Sequence, residues 1–173
     1  MSSAILSDCG TYRYELRRKI PCALRWVQPA LFILFNPSTA DHIEDDQTVK
    51  KGMGFCKEWF CTDMLFWNLY AFRSRWPKDL KAAADPIGPE NDKHLRRILK
   101  SNMDGRIILA WGGMVGPNMK QRVTQVITVL RESGKHVEAI KLNDNGSPTH
   151  PVMIGYKNEP VPVDLDSLAK VYK

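Results

Sequence analysis

The sequence lacks any apolar run approaching the ~18 residues that a membrane-spanning helix needs. Its start also lacks the basic stretch and apolar run of a secretory leader, so we expect a cytoplasmic protein with no membrane partner. Cysteine is scarce, and none forms a C-x-x-C pair or lies at zinc-finger spacing from a histidine. Cys56 and Cys61 are five apart on a predicted helix and would not face each other well, and we expect all four cysteines to be free thiols, as in a reducing cytosol. The remaining two cysteines are Cys9 and Cys22.

Several catalytic signatures are absent as well. The chain has no P-loop, no G-x-G-x-x-G fingerprint, no H-E-x-x-H pair and no G-x-S-x-G elbow. These absences argue against the P-loop nucleotide hydrolases, dinucleotide-dependent oxidoreductases, zinc proteases and serine hydrolases that carry those motifs. The leading prediction therefore includes no cofactor and no metal.

The composition is that of an ordinary folded protein, with 43% hydrophobic and 25% charged residues. A length of 173 residues fits one domain, which we predict over 1–173, with a core of about 10–155 and a tail of 156–173. The net charge of +6 permits a polyanionic partner such as nucleic acid. A mildly basic, solvated surface explains the same charge.

Short apolar runs that alternate with helical patterns predict an α/β fold. Apolar spacing indicates a helix over 46–60, another that begins near Pro89, a third over 117–132 stopped by Gly134, and a short one over 165–171. We interpret 74–88, which contains two prolines, as a long loop. Buried strands are predicted at 30–35, 64–67, 106–110 and 137–142.

Strands in series with helices favour a mostly parallel sheet covered on both faces. We therefore predict a three-layer α/β/α sandwich with a central four-stranded sheet. Alternation over 11–18, a turn at Pro21 and a second run at 24–27 add an N-terminal hairpin.

Polar residues follow each predicted strand where it ends. Asn36, within Asn-Pro-Ser38-Thr, follows the first, Asn68 follows the second, and Trp111-Gly112 and the loop carrying His150 follow the others. Ligands of open α/β sheets bind outside the carboxyl ends of the strands, so these segments predict a site at one edge.

Three of these side chains suit recognition of a flat heterocycle. The amides of Asn36 and Asn68 each offer a donor beside an acceptor, as a nucleobase edge does, although a turn or N-cap role explains Asn36 equally simply. His150 precedes a proline that restricts its backbone, and its imidazole can donate to a developing anion. It could also be an ordinary surface histidine.

Two charged groups lie near these strand ends. An acidic cluster after Asn36 could cap the next helix, supply a general base or bind Mg²⁺; its members are Asp41, Glu44, Asp45 and Asp46. Positive charge beside an aromatic ring after Asn68 suits a phosphate backbone or stacked bases, or it is a solvated loop; it comprises Arg73, Arg75, Trp76 and Lys78.

Motifs spread over residues 10–155 resemble one family, catalogued as domain of unknown function 1643. They are Tyr12-Arg-Tyr14, Phe35-Asn-Pro-Ser-Thr-Ala-Asp41, Asp45-Asp-Gln-Thr-Val49, Asn68-Leu-Tyr-Ala-Phe-Arg73, Asp85-Pro-Ile-Gly-Pro-Glu-Asn91, Ala110-Trp-Gly112 and Gly146-Ser-Pro-Thr-His-Pro151. The family name implies no activity.

The order of these motifs is more distantly similar to the uracil-DNA glycosylase superfamily. That resemblance implies that Asn36-Pro37 positions the attacking water, that Asn68 reads the base, and that His150-Pro151 steadies the leaving base, with Trp111-Gly112 as the intervening strand end. Here Val152-Met153 follows the His150-Pro151 pair, where the superfamily usually has serine and a small or basic residue. Three residues are candidates for the aromatic side chain that would stack on the base: Phe55, Trp59 and Tyr70.

We therefore predict a protein that processes a base in nucleic acid, DNA rather than RNA, by hydrolysis of an N-glycosidic bond. Asn36 and His150 are the predicted catalytic residues, helped by Asp45 or Asp46; Ser38, Asn68, Tyr70, Trp111 and Gly112 would bind the base, and Arg73, Arg75 and Lys78 the backbone. One alternative is a non-catalytic module that binds nucleic acid or a protein. Another is a nucleotide-processing enzyme that uses Mg²⁺ at Asp45 and Asp46.

Overall fold

The computed structural model describes residues 2–21, 28–38, 45–101, 105–113 and 116–173. Within these residues the strands are β1 (Ser3–Leu6), β2 (Arg13–Lys19), β3 (Ala30–Leu34), β4 (Asp63–Asn68), β5 (Arg106–Leu109), β6 (Glu138–Ala139) and β7 (Val161–Pro162). The helices are α1 (Gln47–Glu58), α2 (Pro77–Ala82), α3 (Asn91–Lys100), α4 (Met119–Ser133) and α5 (Leu165–Val171), with a 3-10 turn at Pro151–Met153. None of the helices in this part of the chain is long and apolar enough to cross a membrane.

The strands form one mostly parallel sheet in the order β1-β2-β4-β3-β5-β6-β7. Strands β4, β3, β5 and β6 pair in parallel, whereas β2 pairs antiparallel with both β1 and β4, and β7 antiparallel with β6. The register places Leu34 opposite Asn68, so β3 and β4 end side by side. This alignment brings two of the predicted strand-end segments together.

The prediction of a four-stranded sheet is wrong, because the described part of the chain already contributes seven strands. The four predicted strands are its parallel centre, but β6 is shorter than the predicted 137–142, and β1 and β7 were missed. Both missed strands are short edge strands with many exposed residues, so they carry little apolar signal. Strand β2 pairs with β1, and the predicted hairpin partner at 24–27 lies outside the described residues. The predicted loop at 74–88 contains α2.

Alternation along the central strands supplies a core on each face of the sheet. Leu31 and Ile33 point into a cluster with residues of α3, α4 and α5, whereas Phe32 and Leu34 point into a second cluster with residues of α1. Each such side chain, fully buried, stabilises the fold by about 1.5–3 kcal/mol. Helices therefore cover both faces, and α1 lies on the second.

Both ends of α1 are capped, the first by a residue that its sequence favours and the second by a turn that glycine would favour over phenylalanine. Asp46 is the N-cap, and its carboxylate accepts a hydrogen bond from the Val49 N–H at 2.8 Å. At the other end Phe60 adopts a left-handed conformation with φ of 55°, and the Cys61 N–H donates to the Cys56 carbonyl at 2.7 Å. The turn brings these two cysteines together, so the expectation that they face apart is wrong; it assumed that the helix continues through position 61.

The predicted stop of α4 at Gly134 is confirmed, since this residue is the C-cap with φ of 64°. The same helix carries Arg122, which is 1% exposed. Its guanidinium donates to the Leu69 carbonyl at 2.7 Å and forms two bonds with Asp92 of α3 at 2.7 and 3.1 Å. One arginine thus ties α4 and α3 to the end of β4.

Candidate functional site

A small polar cavity lies where β3 and β4 end, on the face covered by α1. Its volume is about 40 Å³, close to the ~30 Å³ that one water molecule occupies in the liquid. Its lining consists of Arg13, Leu34, Asn36, Ser38, Asp46, Thr48, Val49, Phe66, Asn68 and His150. The cavity therefore combines polar groups from several segments that are far apart in sequence.

Asn68 is the least satisfied residue of the lining. It is the last residue of β4 and is 1% exposed. Within the described part of the chain, neither its amide nitrogen nor its amide oxygen has a hydrogen-bond partner. An unpaired buried polar group costs about 1–3 kcal/mol, and Asn68 has two. The protein thus keeps a donor and an acceptor unpaired beside a cavity.

The backbone around Asn68 is firmly held. The Asn91 side chain donates to the Asn68 carbonyl at 3.0 Å, and Arg122 donates to the next carbonyl, that of Leu69, at 2.7 Å. The free amide therefore does not reflect a loose strand end. The backbone of Asn68 is fixed, and its side-chain amide is available to form hydrogen bonds with a ligand.

Asn36 is oriented by the backbone. Its amide nitrogen donates to the Ser74 carbonyl at 2.8 Å and to the Pro37 carbonyl at 3.1 Å. Both amide hydrogens are used, which fixes the amide orientation and leaves the oxygen as the atom that can serve a ligand. Asn36 can therefore accept a hydrogen bond from water or from a substrate N–H.

Asp46 and Ser38 form one wall together. One carboxylate oxygen of Asp46 caps α1, and the other accepts a hydrogen bond from the Ser38 hydroxyl. A carboxylate held in this way can accept from a bound water as well, since each oxygen has more than one lone-pair site. Asp45 does not line the cavity; it forms an ion pair with the largely buried Arg18 at 2.7 Å.

His150 reaches the cavity from the loop before the 3-10 turn. Its Nδ1 accepts a long contact from the Val152 N–H at 3.5 Å, and Gly112 packs behind it. Gly112 has φ of 77°, and a Cβ there would lie 3.1 Å from the His150 Cβ. Burial lowers the pKa of His150, and nearby Asp46 only partly offsets this. The ring is therefore neutral near pH 7, and we assign its hydrogen to Nε2 because Nδ1 faces the Val152 N–H.

Arg13 was missed as a site residue. It belongs to β2, is buried, and places a guanidinium in the cavity lining. The sequence showed an arginine between Tyr12 and Tyr14 in a predicted strand, and its burial follows from the position of that strand between β1 and β4. The cavity thus contains a fixed positive charge beside its amides.

Other predicted binding residues lie elsewhere. Tyr70 donates to the Pro117 carbonyl at 2.7 Å, and Trp111 donates to the Tyr172 hydroxyl at 2.7 Å; both are in the core on the opposite face. Gly112 touches the site only through His150. Of the three candidates for a stacking aromatic, Phe55 of α1 and Trp59 at its C-cap are also core residues.

The predicted basic segment runs close to the cavity without lining it. Ser74 joins it to Asn36, and Arg73 donates to the Gly10 carbonyl at 3.1 Å. Arg75 and Lys78 are exposed, and Trp76 between them is 64% exposed. This surface therefore offers charge and an aromatic ring to a partner.

Part of the predicted acidic cluster cannot be placed. Asp41 and Glu44, like Thr39 and His42, lie outside the described residues. Among the residues that are described, no group of three histidine, cysteine or carboxylate side chains is arranged to hold a metal ion. The proposal of a magnesium-dependent enzyme stays an untested prediction.

The fold and the cavity define an α/β protein with a polar site at the carboxyl edge of its parallel strands. Residues 13–152 match the profile of a family described as "Protein of unknown function (DUF1643)". The chain belongs to this family. No curated protein and no solved structure matches the chain.

Proposed function

We propose that the chain processes a base of nucleic acid, DNA rather than RNA, by hydrolysing an N-glycosidic bond. The observation that supports this most is the buried amide of Asn68, unpartnered in the described structure, in a cavity it shares with Asn36 and His150. A donor and an acceptor side by side match the edge of a base. We also propose that the chain is related to the uracil-DNA glycosylase superfamily, because the order of its motifs is similar.

The cavity has room for the attacking water. Asn36 Oδ1 and the Asp46 carboxylate would accept its hydrogens, and the water oxygen would bond to the anomeric carbon as the carbon–nitrogen bond breaks. The base would leave with the bonding electrons, and Nε2–H of His150 would donate to it. The proton of the water would pass to Asp46.

A base is several times larger than the cavity, so the proposal requires the wall to open when substrate enters. Ser38 and His150 come from segments outside regular strands and helices, and movement there would leave β3 and β4 in place. The basic segment next to Asn36 would hold the phosphate backbone, with Trp76 available for stacking.

Excision assays test the catalytic proposal. Single- and double-stranded DNA carrying one modified base at a time would be incubated with the protein, and abasic sites cleaved with alkali. We expect product from at least one substrate, a fall of about 100-fold or more for His150→Gln, which removes a catalytic donor, and no change for the exposed control Asn158→Asp. No product from any substrate, with DNA still bound, would exclude hydrolysis.

The exposed Trp76 favours one further candidate, a module that binds nucleic acid without cleaving it. In that case Trp76→Ala would weaken DNA binding about 10-fold, consistent with ~1–3 kcal/mol for base stacking. Binding would fall steeply with salt and survive Asn68→Leu. Equal loss in both variants would instead favour a base held in the cavity.

A further inference from the structure

The C-terminal end of α1 brings two thiols into contact. The Cys61 N–H donates to the Cys56 carbonyl at 2.7 Å, and the Phe60 N–H donates to the Lys57 carbonyl at 3.1 Å. These two bonds, with Phe60 in the left-handed region, form a Schellman motif, in which the third residue from the helix end meets the second residue beyond it. Here those two residues are Cys56 and Cys61.

The two thiols are chemically unequal. A hydrogen bond to Cys61 raises the pKa of Cys56 well above its ordinary value, and burial adds to this. The same hydrogen bond lowers the pKa of Cys61, helped by the guanidinium of Arg106. Burial and the carboxylate of Glu138 oppose ionisation of Cys61, and its thiol can donate to the Trp59 carbonyl at 4.0 Å. The net direction still makes Cys61 the more readily ionised sulfur of the two and leaves the proton on Cys56.

Cys61 is only 2% exposed, but it forms part of a cavity wall. This cavity, of about 760 Å³, lies where the parallel strands begin, at the edge of the sheet opposite to the polar cavity. Arg106 and Glu138 line the same cavity and pair at 3.3 Å. Cys56 does not line it. A small reagent in this cavity meets Cys61 first.

We propose that Cys56 and Cys61 are a redox pair that forms a reversible intramolecular disulfide by exchange with a small-molecule disulfide. The Cys61 thiolate attacks one sulfur of the reagent, forming a mixed disulfide and releasing one thiolate. Cys56 then loses its proton and attacks the Cys61 sulfur, which closes the protein disulfide and releases the second thiolate. The reagent is reduced to two thiols as the protein loses two hydrogens.

The pair is tested in the full chain with Cys9→Ser and Cys22→Ser, since Cys9 is exposed and its pKa is lowered to about 7 by bonds to Ser7 and Thr11. Oxidised glutathione is the probe. Trypsin cuts after Lys57, between the two cysteines, so a disulfide links peptide 52–57 to peptide 58–73. We expect this linked species without reductant, and its loss after reduction. Glutathione adducts alone, or unreacted thiols, would overturn the proposal.

Single substitutions in the same background test the order of attack. Cys56→Ser should accumulate a glutathione adduct on Cys61, whereas Cys61→Ser should leave Cys56 at least about 10-fold less modified, because only Cys61 combines thiolate character with access. The reverse pattern would contradict the assigned roles.

The role of the native turn is tested by repeating the exchange with protein unfolded in guanidinium chloride. We expect that half-reduction of the disulfide needs about 10-fold more reduced glutathione in the folded protein than in the unfolded chain. Phe60→Gly, which keeps the left-handed turn, should behave as the parent. Equal values for native and unfolded chains would show that the fold does not pair these thiols.

Discussion

Two asparagines end neighbouring strands of this sheet, and the protein treats them in opposite ways. Asn36, after β3, donates both amide hydrogens to backbone carbonyls, whereas Asn68, at the end of β4, has no side-chain partner within the described structure. Both line the same cavity. The difference separates a side chain that helps build the site from one whose bonding capacity is open for a ligand.

The largest effect is expected from Asn36→Asp. A carboxylate would replace two donors and face the carbonyl oxygens of Pro37 and Ser74. We expect a loss of about 2–4 kcal/mol in the free energy of unfolding above pH 6, measured with urea. Asn68→Asp is the matched control and should cost less, since no carbonyl is bonded to that amide. Equal losses of stability at the two positions would contradict the difference in hydrogen bonding between Asn36 and Asn68.

Asp45→Asn tests whether the neighbour of Asp46 is structural. It would remove the carboxylate charge that pairs with the guanidinium of Arg18 at 2.7 Å, and Asp45 is itself partly solvated. We expect about 1–2 kcal/mol of destabilisation, with base excision or DNA binding unchanged at a temperature where the variant is folded. Loss of excision in a folded variant would restore Asp45 to the catalytic set.

Asn68→Leu should separate function from stability. It removes two unpaired buried polar atoms and keeps a similar volume, so the free energy of unfolding should stay equal or rise by up to about 1 kcal/mol. DNA excision or base-dependent binding should be lost in the same variant. A clear destabilisation would show that the amide is bonded in the resting protein.

The smallest effect concerns His150. Its folded pKa is lowered, chiefly by burial, so the unfolded chain binds more protons below the ordinary value of 6.5. Stability contributed by the neutral ring is complete above pH 6.5 and is lost as pH falls below it, by at most about 1.4 kcal/mol per pH unit. Urea unfolding between pH 5 and 8 should show a shallower acid slope for His150→Gln. Identical slopes would contradict a buried neutral ring.

Much of the central architecture was readable from local pattern. Apolar runs indicated the four parallel strands, and helical spacing indicated α1, α3, α4 and α5, because these elements bury whole faces. Strands β1 and β7 and helix α2 are short and partly exposed, so their existence depends on tertiary pairing. Such pairing leaves little trace in sequence.

The cavity was harder to predict than the strand ends. The register of β3 and β4 brings Asn36 and Asn68 to one edge of the sheet. Which other residues line the cavity with them depends on the face of the sheet on which it opens. Trp111 continues the alternation of Ile107 and Leu109 and so lies on the opposite face. Knowing that face would have removed Trp111 from the predicted binding residues. The functional roles of all these residues remain predictions.

Arg122 has a consequence for how the site can be influenced from a distance. Its guanidinium lies among the helices on the rear face of the sheet, yet it grips the carbonyl one residue beyond Asn68. Because of this hydrogen bond, a shift of α4 would move the end of β4, whose Asn68 side chain lies on the face covered by α1. A ligand or partner that displaces α4 would therefore also move the backbone next to the Asn68 amide.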